Sequence, residues 1–260
     1  MKYIVWFSLF GLLIGCSAKK DHKKLQEKYK SEEHTKEVIQ VASSEPAIEQ
    51  SRRYPSNPLH FKGIAELGLD DEARSLVNLL SSAAKGKVVY ARLKHESPGF
   101  VKKVLLGALS WSNPNARIQA AIIAAKLHVK DEEMVNRLIE GLLRDPDPDC
   151  RSQTAAAFVN LKDRRGAKAL LYMLNHDPHP MARANAAWAL GVMRYRPAVP
   201  SLIKALDHPY TWVRLRAASA LKHIRARAAV EGIKRRLRKE KNPLVKKRLR
   251  QALAACRRGR

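Results

Sequence analysis

The stretch Asp145-Pro146-Asp147-Pro148-Asp149-Cys150 sets three carboxylates at alternate positions ahead of a thiol. Alternate carboxylates open a calcium loop, where oxygen ligands from successive odd positions close around the ion. That loop also needs a glycine at its sixth position and a bidentate glutamate at its twelfth. Cys150 and Ala156 stand there instead, and the two prolines stiffen the turn. No metal site is therefore expected at this stretch, and the aspartates read as helix-start groups. His176, Asp177 and His179 offer a second set of ligand types, and they fall in a turn of the same kind. The sequence holds no GxSxG, HExxH, Walker or GxGxxG pattern, and no carboxylate pair stands out from the charge background. No enzyme activity and no cofactor is expected.

The elements that carry these residues repeat. Arg117, Arg151, Arg183, Arg214 and Lys246 follow one another at 34, 32, 31 and 32 residues. A proline precedes each: Pro114, Pro148, Pro180, Pro209 and Pro243. An alanine-rich run follows each, and a second apolar run then ends at Leu142, Leu174, Leu206 and Leu237. Each unit is thus a pair of helices. Proline suits a first helical turn, where its missing N–H has no partner to lose. Asn, Asp or His just before it can accept from the free N–H groups of that turn. Alanines let neighbouring helices approach, and Ala167, Leu170, Leu171 and Leu174 form a stripe at helical spacing.

This pattern resembles HEAT repeats, in particular the short HEAT-like units of phycobilisome lyase subunits. The resemblance covers residues 112–260 and implies an all-α fold: an α-solenoid of about four to five helix pairs plus a C-terminal capping helix. It also implies a ladder of turn aspartates and arginines. The family's turn aspartate aligns with Asp131 and Asp163, but Tyr195 and Ala226 replace it later, so the ladder is expected to lapse toward the C-terminus. Upstream, Ser97–Leu109 aligns with the second helices, and Asp70–Ala83 is its expected partner, with an irregular stretch over 84–96 between them. Cys150 and Cys256 occupy small apolar core positions three units apart. That separation is too large for a disulfide, which needs Cα atoms within about 7 Å, so both are expected as buried thiols.

The N-terminus reads as an address. An apolar run from Tyr3 to Gly15 is too short to span a bilayer and fits the core of a secretory signal. Its end, Leu13-Ile14-Gly15-Cys16, resembles the bacterial lipobox, which implies cleavage of residues 1–15 and lipidation of Cys16. Acyl chains hold a protein to a membrane at roughly 0.8 kcal/mol per buried methylene. Ser17 after the cysteine implies, by the sorting rule of enteric bacteria, the outer membrane facing the periplasm. Residues 16–69 are rich in both charges and carry Pro46, Pro55 and Pro58, and they read as a tether ahead of the array at 70–260.

The net charge is +26, and residues 207–260 hold 18 Lys and Arg against three acids. So skewed a field speaks about partners. In HEAT-like arrays the second helices line the concave face. One row there, Glu140, Tyr172, Lys204 and Arg235, runs from acidic to basic, with Lys168 one turn before Tyr172. Lys234, Arg236 and Arg238 extend it. The bland reading is a solvated end of the stack. The functional reading is a groove for a protein with an acidic surface or for an anionic envelope polymer. Nucleic acid suits the charge but not the lipid anchor, so it is the alternative only if the signal is not processed. Trp188 and Trp212 sit at variable positions and read equally as contacts or as packing between units.

Overall fold

The computed structural model describes residues 59–259. Expectations for the signal, Cys16 and residues 16–58 lie outside the described residues. The chain forms α1 (Asp71–Leu79), α2 (Gly86–Leu93), α3 (Pro98–Ser110), α4 (Pro114–Lys126), α5 (Glu132–Arg144) and α6 (Pro148–Leu161). It continues with α7 (Ala167–His176), α8 (Pro180–Val192), α9 (Val199–Ala205), α10 (Thr211–Ile224), α11 (Val230–Lys239) and α12 (Pro243–Arg257). The fold is the expected α-solenoid. One layer holds α4, α6, α8, α10 and α12 side by side, and the other holds α3, α5, α7, α9 and α11.

The layers differ because their sequences do. The first layer is alanine-rich, and its helices are buried on nearly all sides, as with residues 116–121 of α4 and 217–221 of α10. Small side chains let the axes close up. A Cβ added to Gly191 would lie 2.4 Å from the Cα of Ala220, so only glycine allows that contact between α8 and α10. Helices of the second layer bury a single stripe, such as Met134, Val135, Leu138 and Leu142 in α5. Cys150 and Cys256 are buried free thiols in the core, as expected. Burial pushes both thiols up and keeps them protonated.

Helix starts follow the sequence in part. Asn113, Asp147 and Asn242 accept from N–H groups of the turn they precede. His179 and Tyr210 make no such side-chain bond, and α10 begins at Thr211 rather than at Pro209. Helix ends repeat as well. His128, Lys162, Arg194 and Arg225, each eleven residues after its unit's arginine, take left-handed backbone with φ between 50° and 56°. Glycine usually fills such a position because side chains cost energy there.

Two expectations change. The stretch over 84–96 is not irregular throughout, since Gly86–Leu93 is a helix that seats Gly86 against Gln119. Residues 59–69, assigned to the tether, are packed on the array. Lys62 exchanges backbone bonds with Ser110 and Ser112, Leu69 fills the space beside Gly107, and the Phe61 ring lies 3.9 Å from the Arg117 guanidinium.

The arginine ladder also differs from expectation. Asp131 and Asp163 serve local turns, accepting from Met134 N and Arg165 N. The ladder's acids, Asp145, Asp177 and Glu240, stand six residues before the register positions Arg151, Arg183 and Lys246, and each pairs with the register arginine of a preceding unit. Arg117 Nε and Nη2 donate to Asp145 at 2.8 and 2.9 Å. Arg151 grips Asp177 at 2.9 and 3.1 Å, and Arg214 grips Glu240 at 2.8 and 3.1 Å. Each guanidinium also donates to carbonyls of its own turn: Arg117 to Trp111 and Ser112, Arg151 to Asp145 and Pro146, Arg214 to His208 and Pro209. The acids accept in turn from the N–H two residues on, at Asp147, His179 and Asn242. The ladder therefore persists to the C-terminal end.

One rung is replaced. His208 holds the acid's position, and its Nδ1 accepts from Tyr210 N at 3.1 Å just as a carboxylate oxygen does elsewhere. Burial and the charges of Arg183 and Arg214 push its pKa down to about 4. Glu240 would be raised by burial, but Arg214, Asn242 N–H and Arg236 outweigh that and hold it at about 2.

Asp177→Ala should destabilise the fold by about 3–5 kcal/mol in urea denaturation, because it strands a buried guanidinium. Asp149→Ala, on an exposed carboxylate one turn away, should change stability by less than about 0.5 kcal/mol. Acid should act in two stages. His208 is neutral when folded, so the unfolded chain binds the extra proton and stability falls as pH drops from 6.5 toward 4. The Glu240 contribution is present above 4.5 and is lost as pH falls toward 2. His208→Asp should raise the neutral-pH melting temperature, by on the order of 1 kcal/mol of stability, and shrink the upper stage in a pH series of melts to the part that His223 contributes.

Candidate functional site

The basic residues singled out from the sequence fall on the second layer. Lys168 on α7, Lys204 on α9, and Arg235 and Arg238 on α11 are exposed. Arg235 lies 3.9 Å from Asp207 and remains half open to solvent. Lys234 is half-buried and paired with Glu231 at 2.8 Å. Arg236 differs from the rest. Its side chain is 17% exposed and it donates to Glu240 while reaching Asp207 at 3.5 Å. Its charge braces the last turn, so the outward basic set is Lys168, Lys204, Arg235 and Arg238, with Lys234 beside it. Farther back in the row, Glu140 pairs with Arg137 and Tyr172 packs on His176 at 4.6 Å.

All three acids of residues 207–260 are engaged within the fold. Glu240 is held by Arg214 and Arg236, Asp207 by Arg235 and Arg236, and Glu231 by Lys234. The surplus cations of this region consequently set the outer field.

A second cationic group escaped sequence reasoning. Trp188 on α8 is half-buried. The Arg216 guanidinium of α10 lies 5.3 Å from its ring centroid, and the His223 ring meets it edge-on at 5.0 Å. Burial and then the nearby Arg248 charge lower the pKa of Arg216. Burial lowers His223 too, followed by the charges of Lys222, Arg194 and Arg248. The open question on Trp188 thus resolves as packing between units. The available signal was the register two residues after each ladder arginine, which reads Gln119, Gln153, Asn185, Arg216 and Arg248.

The helix starts give a third feature. Met181, Trp212 and Leu244 occupy one register position in three successive units and are 37%, 41% and 37% exposed. Trp212 is accordingly a surface residue on the edge of the array. Among the described residues no group of three or more His, Cys, Asp or Glu could hold a metal, and no helix is long and apolar enough to cross a membrane.

The HEAT repeats family matches residues 101–190 and 167–254, and the chain belongs to that family. Its fold is similar to that of the CpcE and CpcF complex of phycocyanin lyase from Nostoc sp., with a TM-score of 0.55 and 23% identity. That likeness covers 62% of this chain and 65% of the other. An engineered protein matches with a TM-score of 0.48 and 20% identity, over 75% of this chain and 57% of its own. Human deoxyhypusine hydroxylase in complex with glycerol matches with a TM-score of 0.42 and 20% identity, over 71% and 73%. No curated protein sequence matches the chain.

Proposed function

We propose that this HEAT-repeat protein is a non-enzymatic scaffold of the cell envelope, lipid-anchored at Cys16, that docks a protein with an acidic surface through its basic C-terminal half. The observation that carries the docking is the exposure of Lys168, Lys204, Arg235 and Arg238 on one helix layer, while every acid of residues 207–260 is already paired with a cation of the fold. The Leu13-Ile14-Gly15-Cys16 motif at the end of an apolar run supports the anchor. The outer membrane, facing the periplasm, is the destination that Ser17 suggests in a Gram-negative host. A protein partner is in keeping with the CpcE and CpcF relative, itself a complex of two proteins. An anionic envelope polymer would meet the same cations and compete for them.

Two measurements test this reading. Labelling cells with radioactive palmitate should mark the chain, and Cys16→Ala should abolish the label; an unlabelled wild-type chain would refute the anchor. A variant with Lys204, Arg235 and Arg238 changed to Gln should lose its crosslinked partners from native membranes, and raised salt should release the same partners from the wild type. Unchanged partners with unchanged salt sensitivity would refute the basic groove.

A further inference from the structure

Two arginines two residues apart on α10 meet opposite fates. Arg214 is buried and has both forks committed, to Glu240 and to its own turn. Arg216 is half-buried and has no hydrogen-bond or carboxylate partner among the described residues. None of its nitrogens is both buried and unsatisfied, so its N–H groups open to solvent. Withdrawing a charge from water without pairing it is unfavourable. The fold does not require it, since the preceding units fill the same register with the neutral amides Gln119, Gln153 and Asn185.

The surroundings sharpen the point. Arg248 stands in the same register on α12, and parallel neighbouring helices lie about 8–10 Å apart. The Trp188 ring meets both the Arg216 guanidinium, at 5.3 Å, and the His223 ring, edge-on at 5.0 Å. A guanidinium stacked on an aromatic face keeps its in-plane fork free for a planar or tetrahedral oxyanion. The charges acting on Arg216 and His223 come from Arg248, Lys222 and Arg194, with no acid among them.

We propose that the face of α8, α10 and α12 carries an oxyanion site centred on Arg216, with Trp188, His223 and Arg248 around it, that takes a phosphoryl group. The double negative charge of a phosphoryl group meets two guanidiniums and a neighbouring imidazole, where one carboxylate would balance a single cation. Arg216 supplies the bidentate fork, Arg248 the second charge, and Trp188 fixes the fork in place. The site lies on the other helix layer from Lys204, Arg235 and Arg238 and does not depend on their docking a protein.

The test uses the full chain in a neutral detergent. Inorganic phosphate and pyrophosphate are titrated while the Trp188 indole N–H and the His223 ring are followed by NMR. Both resonances should shift saturably with pyrophosphate, and Arg216→Met should weaken binding about tenfold or more. Arg248→Gln should also weaken it, while the Lys204, Arg235 and Arg238 triple-Gln variant should bind as the wild type does. A second arm replaces pyrophosphate with phosphatidylglycerol doped into the micelle. Shifts at Trp188 there, lost in Arg216→Met, assign the phosphoryl group to a lipid headgroup, and shifts with pyrophosphate alone assign it to a soluble or polymer-borne phosphate. The proposal is overturned if neither probe moves Trp188 and His223. It is equally overturned if their shifts persist in both Arg216→Met and Arg248→Gln.

Discussion

The array depends on one interaction repeated along its length: a guanidinium that donates to the carbonyls of its own turn and to the carboxylate of the next turn. The geometry is bidentate, the charges are buried, and the acid's remaining lone pair accepts from the backbone two residues on. A buried pair is a weak source of net stability but a strong source of register, because a slipped unit would strand both charges. Apolar stripes alone would tolerate small shifts between similar units. The ladder links each turn to the next and so defines where each helix pair sits. His208 shows how narrow the requirement is, since it reproduces the acceptor role toward Tyr210 N while leaving out the negative charge.

The ladder also sorts the cations of a very basic chain. Arginines at the register position are consumed by structure, and Arg236 joins them by bracing Glu240. Lys168, Lys204, Arg235 and Arg238 on the second layer are exposed and remain available. Arg216 is a third case, drawn partly out of water by Trp188 and left without a counter-charge. Charge count alone cannot separate these three groups, because they share residue type and neighbouring positions in the chain.

Much of this was legible in the sequence. The period of the arginines gave the helix pairs, and aligned positions placed Cys150 and Cys256 in the core. The three aspartates ahead of Cys150 read alike as helix-start groups, but their roles are distinct: Asp145 is a rung, Asp147 is a cap and Asp149 is exposed. The rung was missed because the resemblance pointed to Asp131 and Asp163. The spacing of Asp145, Asp177, His208 and Glu240, at 32, 31 and 32 residues, held the answer. The left-handed helix ends were hidden because His128, Lys162, Arg194 and Arg225 carry none of the usual glycine signal. The setting of Arg216 was hidden because it depends on Trp188, a residue of the preceding unit.

The division between structural and free arginines is the central claim, and a paired denaturation experiment tests it directly. Arg214→Met and Arg216→Met, two positions apart on one helix, are unfolded in urea under identical conditions. The first should lose about 3 kcal/mol, because buried Glu240 loses its bidentate partner and keeps only Arg236 as a counter-charge. The second should lose nothing or gain stability, because an uncompensated cation is removed. Equal losses in the two variants would contradict the account.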